Sequence, residues 1–382
     1  MTSRLFHIAL ATCCLVVTST IVYANGEQRL EDSAGVLRVV KRDVLISNPG
    51  KYRVPDEQLH FPWLFESPNG IWYLTYREGP HNEAQWRSAG NRVQCVQSRD
   101  RGKTWIPWMG MRAEPWMYQF FVTRLKNGTL ISYRCRMTGI QQEGTDDRPY
   151  GTTIGTAIIL LSKDEGATWT RRHVPITNMP FSTNAHHLVT LWGRAIEMPD
   201  GRLLWGIISR ERNPSDSVIG VIESMDGGKS FRFVTALCHD VIKQVGEPRE
   251  PGIERLQSGD LVALIRSSPM MLVRSKDGGR TWSDPRKLNH PGFCPQLLRL
   301  PNGFLVASYG MRTHVHVIAS WDGRGKEWTK PFVIYQGQTG GYSNLQVLGD
   351  NRFRICYQEG TFNKYQSGGH RIVRIELTAT KR

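Results

Sequence analysis

The chain has 382 residues, 49 Lys and Arg against 34 Asp and Glu, and a formal net charge of +15. That balance draws anionic partners by long-range attraction, and basic residues spread through every segment fit acidic glycans better than nucleic acid. Cys95, Cys135, Cys238, Cys294 and Cys356 are an odd set with no CxxC-like spacing, so neither a zinc site nor a disulfide framework is implied, and no metal or cofactor is expected.

Taken in chain order, the first element is a leader. Residues 1–24 carry one charge, Arg4, an apolar run from 5 to 23, and small residues at Val22 and Ala24. This is the pattern of a secretory signal peptide cleaved after Ala24. The mature chain, 25–382, is then expected to be exported to a periplasmic or extracellular space, to have no stable membrane insertion, and to act as a monomer. The stretch 36–45, VLRVVKRDVL, reads as a strand.

Six hairpin signals follow, each a Gly with Asn, Asp or Ser between apolar strands: Asn69-Gly70, Asn127-Gly128, Asp200-Gly201, Ser258-Gly259, Asn302-Gly303 and the looser Gly349-Asp350-Asn351. Behind each of the first five comes a third strand and then an eight-residue phrase. Ser98-x-Asp100-x-Gly102-x-x-Trp105 is the first copy, and Ser162-Asp164-Gly166-Trp169 and Ser275-Asp277-Gly279-Trp282 repeat it. Ser224-Asp226-Gly228-Phe231 has Phe for Trp, and Ser320-Asp322-Gly325-Trp328 has one residue inserted. A phrase repeated in order along one chain marks a tandem architecture.

Two strands of hairpin, a third strand and a fourth after the phrase make a four-stranded blade. Six blades in a ring form an all-β, six-bladed β-propeller, which leaves few sheet edges exposed. The last blade lacks the phrase, and the 36–45 strand is expected to supply its outer strand and close the ring. The repeated Asp is read as structural: its carboxylate and the Ser hydroxyl accept hydrogen bonds within the turn, the Gly permits a positive φ, and the aromatic residue fills the gap between strands. Calcium would need more oxygen ligands than the phrase offers.

Ligands of such rings bind where the inner strands converge. Polar and ionisable residues at those places are His60, His81, Glu83, His186, His187, Glu250, Arg266, Arg312, His314 and Tyr342. The pairs His186-His187 and His314-x-His316 suggest metal ligands, but no third ligand has a recognisable spacing.

Here the chain resembles the sialidase superfamily, the Asp-box glycosidases built on a six-bladed propeller. The most specific segment is Gly341-Tyr342-Ser343-Asn344-Leu345, continuing through Asp350 to Tyr357 and Glu359. By resemblance Tyr342 is the nucleophile, an exception among glycosidases, most of which use a carboxylate. The segment that opens with Glu250 and ends with Arg266 is similar to a family stretch that starts with a catalytic Glu and ends with a carboxylate-binding Arg. Glu250 would take the phenol proton, and Arg266 and Arg312 would hold an acidic sugar with charge-assisted bonds. Glu254, at strand spacing from Glu250, is a rival base.

Two alignments of the first blade stay open. Tyr52-Arg53-Val54-Pro55 matches the letters of the family's Arg-Ile-Pro phrase, whereas His60-Phe61-Pro62 stands in the better position, before Tyr76-Arg77. Arg53, His60 and Arg77 are therefore all candidate substrate-binding residues. The family's acidic Asp has no counterpart, which leaves His81 or Glu83 as the proton donor. The implied activity is release of a terminal acidic sugar from a glycan by a retaining mechanism. Alternatives are hydrolysis or β-elimination of a uronate-bearing or sulfated polysaccharide, and glycan binding without catalysis.

Overall fold

A computed structural model describes residues 20–24, 27–48, 58–79, 92–111, 120–133, 153–179, 188–210, 218–237, 249–360 and 369–382. They form a six-bladed β-propeller. Every hairpin signal joins the two inner strands of a blade, because an Asn-Gly or Asp-Gly pair accommodates the tight reversal that twisted antiparallel strands require. Blade one is Leu59–Glu66, Trp72–Glu78, Arg92–Ser98 and Ile106–Pro107. Blade four is Arg249–Arg255, Leu261–Arg266, Met271–Ser275 and Arg286–Lys287, and blade five is Phe293–Arg299, Leu305–Gly310, His314–Ser320 and Phe332–Gln336. The outer strands of blades two and three, Thr170–Met179 and Phe231–Ala236, touch in parallel at Ile176↔Phe231 and fuse the two blades into one eight-stranded sheet.

Blade six is Ser343–Val347, Arg352–Glu359, His370–Lys381 and then Gly35–Asn48 from the other end of the chain, paired from His370↔Asn48 to Lys381↔Gly35. Arg374 bonds Asp43 at 2.6 Å, and Arg42 reaches Glu359 at 2.6 Å. Beyond Gly35–Asn48 lie Glu27–Glu31 and, at the sheet edge, Thr20–Ala24. A cut after Ala24 would remove that last strand and leave Glu27–Glu31 as the edge.

Blades hold together through their large apolar faces. Trp63 of blade one meets Phe121 of blade two at a centroid distance of 4.0 Å, and Trp205 meets Tyr133 edge-on at 5.1 Å. Trp63, Trp205 and Tyr133 are each at most 1 % exposed, so truncating any of them would cost about 3–5 kcal/mol.

In all five Asp boxes the Ser hydroxyl donates to the Asp and accepts from the Gly N–H. In the fourth blade Ser275 Oγ donates to Asp277 Oδ1 at 2.8 Å and accepts from the Gly279 N–H at 2.8 Å. Asp277 also accepts from the N–H groups of Arg280 and Thr281 and from the Thr281 hydroxyl. Burial of Asp277 opposes ionisation, but these bonds outweigh it and bring its carboxyl down to about 2. The boxes thus close turns at the end opposite the one where the second strands of the blades finish.

Candidate active site

Three inner strands begin the same way. Phe61, Glu250 and Cys294 all have left-handed backbones, with φ of 52, 54 and 47°, and each stands directly before a proline, Pro62, Pro251 or Pro295. The strand register slips at each place, between His60 and Trp63, Arg249 and Pro251, and Phe293 and Gln296. A proline has no N–H for the ladder, and a non-glycine residue at positive φ costs on the order of 1–3 kcal/mol. The strain turns three side chains out of the alternating pattern and gathers them: Phe61 and Cys294 pack with Trp192, Ile208 and Tyr342. The slip also separates Glu250 from Glu254. Glu254 faces Arg194 at 3.8 Å and accepts the Arg255 N–H at 2.9 Å, and burial raises its pKa.

Glu250 is 6 % exposed, and its bonds are defined on both oxygens. Oε1 accepts from Arg266 at 2.7 Å and from the Tyr342 hydroxyl at 3.3 Å, and Oε2 accepts the Cys294 N–H at 3.0 Å. This last bond crosses from blade four to blade five, which touch because residue 252 is glycine: a Cβ there would lie 2.3 Å from the Pro295 carbonyl oxygen. The Arg266 guanidinium sits 4.3 Å from the centre of the Phe293 ring and that of Arg312 5.4 Å from it, so one phenyl ring supports both cations.

The electrostatics follow from burial. Tyr342 is 8 % exposed, and its phenol is pushed well above the ordinary value, first by burial and then by the negative Glu250; Arg266 and Arg312 offset this only in part. The hydroxyl is therefore neutral at rest, with Glu250 placed to take its proton. Burial works against the charge on Arg266, but the Glu250 carboxylate outweighs it and raises the guanidinium further. Burial lowers Arg312, with Tyr342 acting in the opposite sense. An arginine remains charged under all such shifts at neutral pH. A buried phenol–carboxylate pair flanked by two guanidinium groups can supply a nucleophile and bind an acid group.

Of the residues singled out from the sequence, the structure brings together Glu250, Arg266, Arg312 and Tyr342. His60 is placed elsewhere. It is fully buried, with its Nδ1 bonded to the Gln358 amide at 3.2 Å and its Nε2 to Gln58 at 3.0 Å, between blades one and six. Arg77 is 1 % exposed and lies across from His60 in the strand register. Arg53, His81, Glu83, His186 and His187 lie outside the described residues. His314 and His316 stack on each other at 5.5 Å, and His316 stacks on Tyr309 at 5.0 Å. Tyr357 and Glu359, the far end of the Tyr342 segment, bond each other at 2.9 Å and serve Arg42 of the closing strand. Sequence reasoning missed Cys294, Phe293 and Phe61. Residue-Pro at the start of an inner strand, met three times, was the signal for two of them; Phe293 had none.

A family model described as a BNR repeat-like domain matches residues 124–355, from blade two into blade six. The chain belongs to this family. Membership agrees with the sialidase-superfamily resemblance, since solved structures with the same BNR-type propeller include sialidases and arabinanases. A protein of unknown function from Dyadobacter fermentans is 21% identical, with a TM-score of 0.64 over 90% of this chain and 99% of that one. A Hadza microbial sialidase is 19% identical, with a TM-score of 0.58 over 93% and 73%. The alpha-L-arabinanase of Penicillium chrysogenum, solved with arabinobiose, is 17% identical, with a TM-score of 0.59 over 90% and 98%. A comparison with curated protein sequences found no match. At these identities the likeness establishes the propeller fold of this BNR repeat-like chain.

Proposed function

We propose that the protein is an exported retaining glycoside hydrolase that releases a terminal acidic sugar from a glycan. The observation that carries the reading is the Tyr342–Glu250–Arg266 set, with the phenol hydroxyl 3.3 Å from a carboxylate that a guanidinium holds at 2.7 Å. In the first step the Tyr342 oxygen bonds to the anomeric carbon, its proton passes to Glu250, and the glycosidic C–O bond breaks as the leaving oxygen takes a proton from His81 or Glu83. Water then gives a proton back to that same His81 or Glu83 as its oxygen displaces Tyr342 from the anomeric carbon, and the departing phenolate recovers its proton from Glu250. A neutral nucleophile avoids repelling the substrate's own carboxylate, which Arg312 and Arg266 would bind. The fold shared with a sialidase and an arabinanase supports sugar hydrolysis. The apolar leader ending at Ala24 supports export.

The burial of His60 favours a second reading of the substrate. The better-positioned alignment would need His60 to complete a three-arginine clamp, and its ring is committed to Gln58 and Gln358. Two arginines suit a uronate as well as a sialic acid. A panel of fluorogenic sialosides and uronides separates the two, and ultraviolet absorbance of an unsaturated product detects elimination. No release from any member, with Tyr342→Phe indistinguishable from wild type, would reject hydrolysis and leave glycan binding.

A further inference from the structure

Away from the ring centre, the outer edges of blades four and five enclose a groove of about 470 Å³ lined by Arg286, Lys287, His290, Lys326, Trp328 and Lys330. That volume lies in the ~300–1,000 Å³ range of ligand sites. Its cations are held in an unfavourable arrangement. The Arg286 guanidinium donates to the Lys326 carbonyl at 2.8 Å, and Arg274 donates to the Arg324 carbonyl next to it. The pKa of Arg274 is lowered, by burial and then by the charge of Arg286. Like charges held side by side repel, and the Asp322 and Asp260 carboxylates offset this for Arg274 only in part; an anionic ligand beside Arg286 would relieve it. Glu327 is the one acidic residue in the lining.

Two further groups line the groove. His290 Nε2 is buried without a hydrogen-bond partner among the described residues, a rare state for a native polar atom. The half-buried Trp328 has its Nε1 tied to the Gly325 carbonyl at 3.1 Å, so its ring is what the groove receives from it. Behind His290 a row of packed rings runs inside blade five. His290 stacks on Tyr309 at 5.2 Å, Tyr309 on His316 at 5.0 Å, and His316 on His314, two residues from Arg312.

We propose that this groove binds a strand of acidic polysaccharide. Its service as an anchor for the polymer whose end enters the Tyr342 site rests on the hydrolase reading above. The probes are chondroitin sulfate and polygalacturonate, titrated into wild type, into Arg286→Ala/Lys326→Ala/Lys330→Ala, and into a control that loses three exposed cations elsewhere, Arg99→Ala/Lys103→Ala/Lys163→Ala. We expect salt-dependent binding that the groove variant weakens at least tenfold, with an unchanged Tm and unchanged turnover of a small fluorogenic glycoside, while the control binds as wild type. Equal weakening by groove and control variants, unchanged affinity in the groove variant, or equal affinity for single-stranded DNA would overturn the proposal. Polymer binding lost only in the groove variant, with no glycoside cleaved by any form, would keep the groove and remove the hydrolase reading.

Discussion

Gly310 and Gly341 are in backbone contact: a Cβ built on Gly310 would lie 2.0 Å from the Gly341 Cα. Through this contact the second strand of blade five bears directly on the residue before Tyr342. Gly310→Ala should cost about 1–3 kcal/mol, as overpacked positions do, and should displace the phenol from Glu250. Urea unfolding measures the first effect and turnover the second. A stable, fully active Gly310→Ala protein would show that the two glycines do not set the position of Tyr342.

Tyr342→Phe removes the proposed nucleophile and keeps the ring that packs edge-on against Phe61 at 4.5 Å. The stability should change little, and turnover of an activated glycoside should fall by roughly 10²–10⁴, as should that of Glu250→Gln. Parallel kinetics and thermal melts of the two variants check this, because a packing role would lower the Tm without selective loss of kcat.

The two arginines should separate kinetically. Arg266 bonds Glu250 at 2.7 Å, so Arg266→Ala leaves a buried carboxylate without its cation and should lower kcat as well as raise KM. Arg312 sits farther from the Phe293 ring, at 5.4 Å, and its substitution by Ala should raise KM about 10–100-fold for an acidic glycoside with a smaller effect on kcat. For a glycoside lacking the acid group, the Arg312→Ala effect should vanish.

Acid should loosen the ring through two histidines outside the site. Burial brings both His316 and His370 from 6.5 down to about 4, with His314 and His290 adding to the effect on His316. The unfolded chain therefore binds more protons than the folded one between those limits. Stability is fully present above pH 6.5 and falls as the pH drops toward 4, by roughly 2 kcal/mol for each ring after allowing for residual solvent. Chemical denaturation at pH 7.5 and 4.5 should show this loss in wild type and a smaller one in His316→Phe/His370→Phe.

The blades were legible because each rests on local information. A hairpin needs its Asn-Gly pair and an Asp box its Ser, Asp and Gly within a few residues, so both survive as short patterns. Glu250, Arg266 and Tyr342 were found through segments whose spacing is preserved around them. The role of Cys294 was not visible, because what binds Glu250 is a backbone N–H that any residue would carry, delivered across blades by the contact of Gly252 with Pro295. His60 was misplaced for a related reason. Its position before Pro62 matched, but its partner Gln358 lies 298 residues away, and only the closed ring brings them together.

The pairing of Gly35–Asn48 with His370–Lys381 also bears on how the ring is made. Residues as far apart in sequence as Asp43 and Arg374 pair within it, so the sixth sheet cannot form until both segments have been synthesised. Contacts this distant in sequence slow folding. In the meantime five blades built from neighbouring segments can form in order, leaving the open faces of blades one and five as the surfaces most exposed to mispairing.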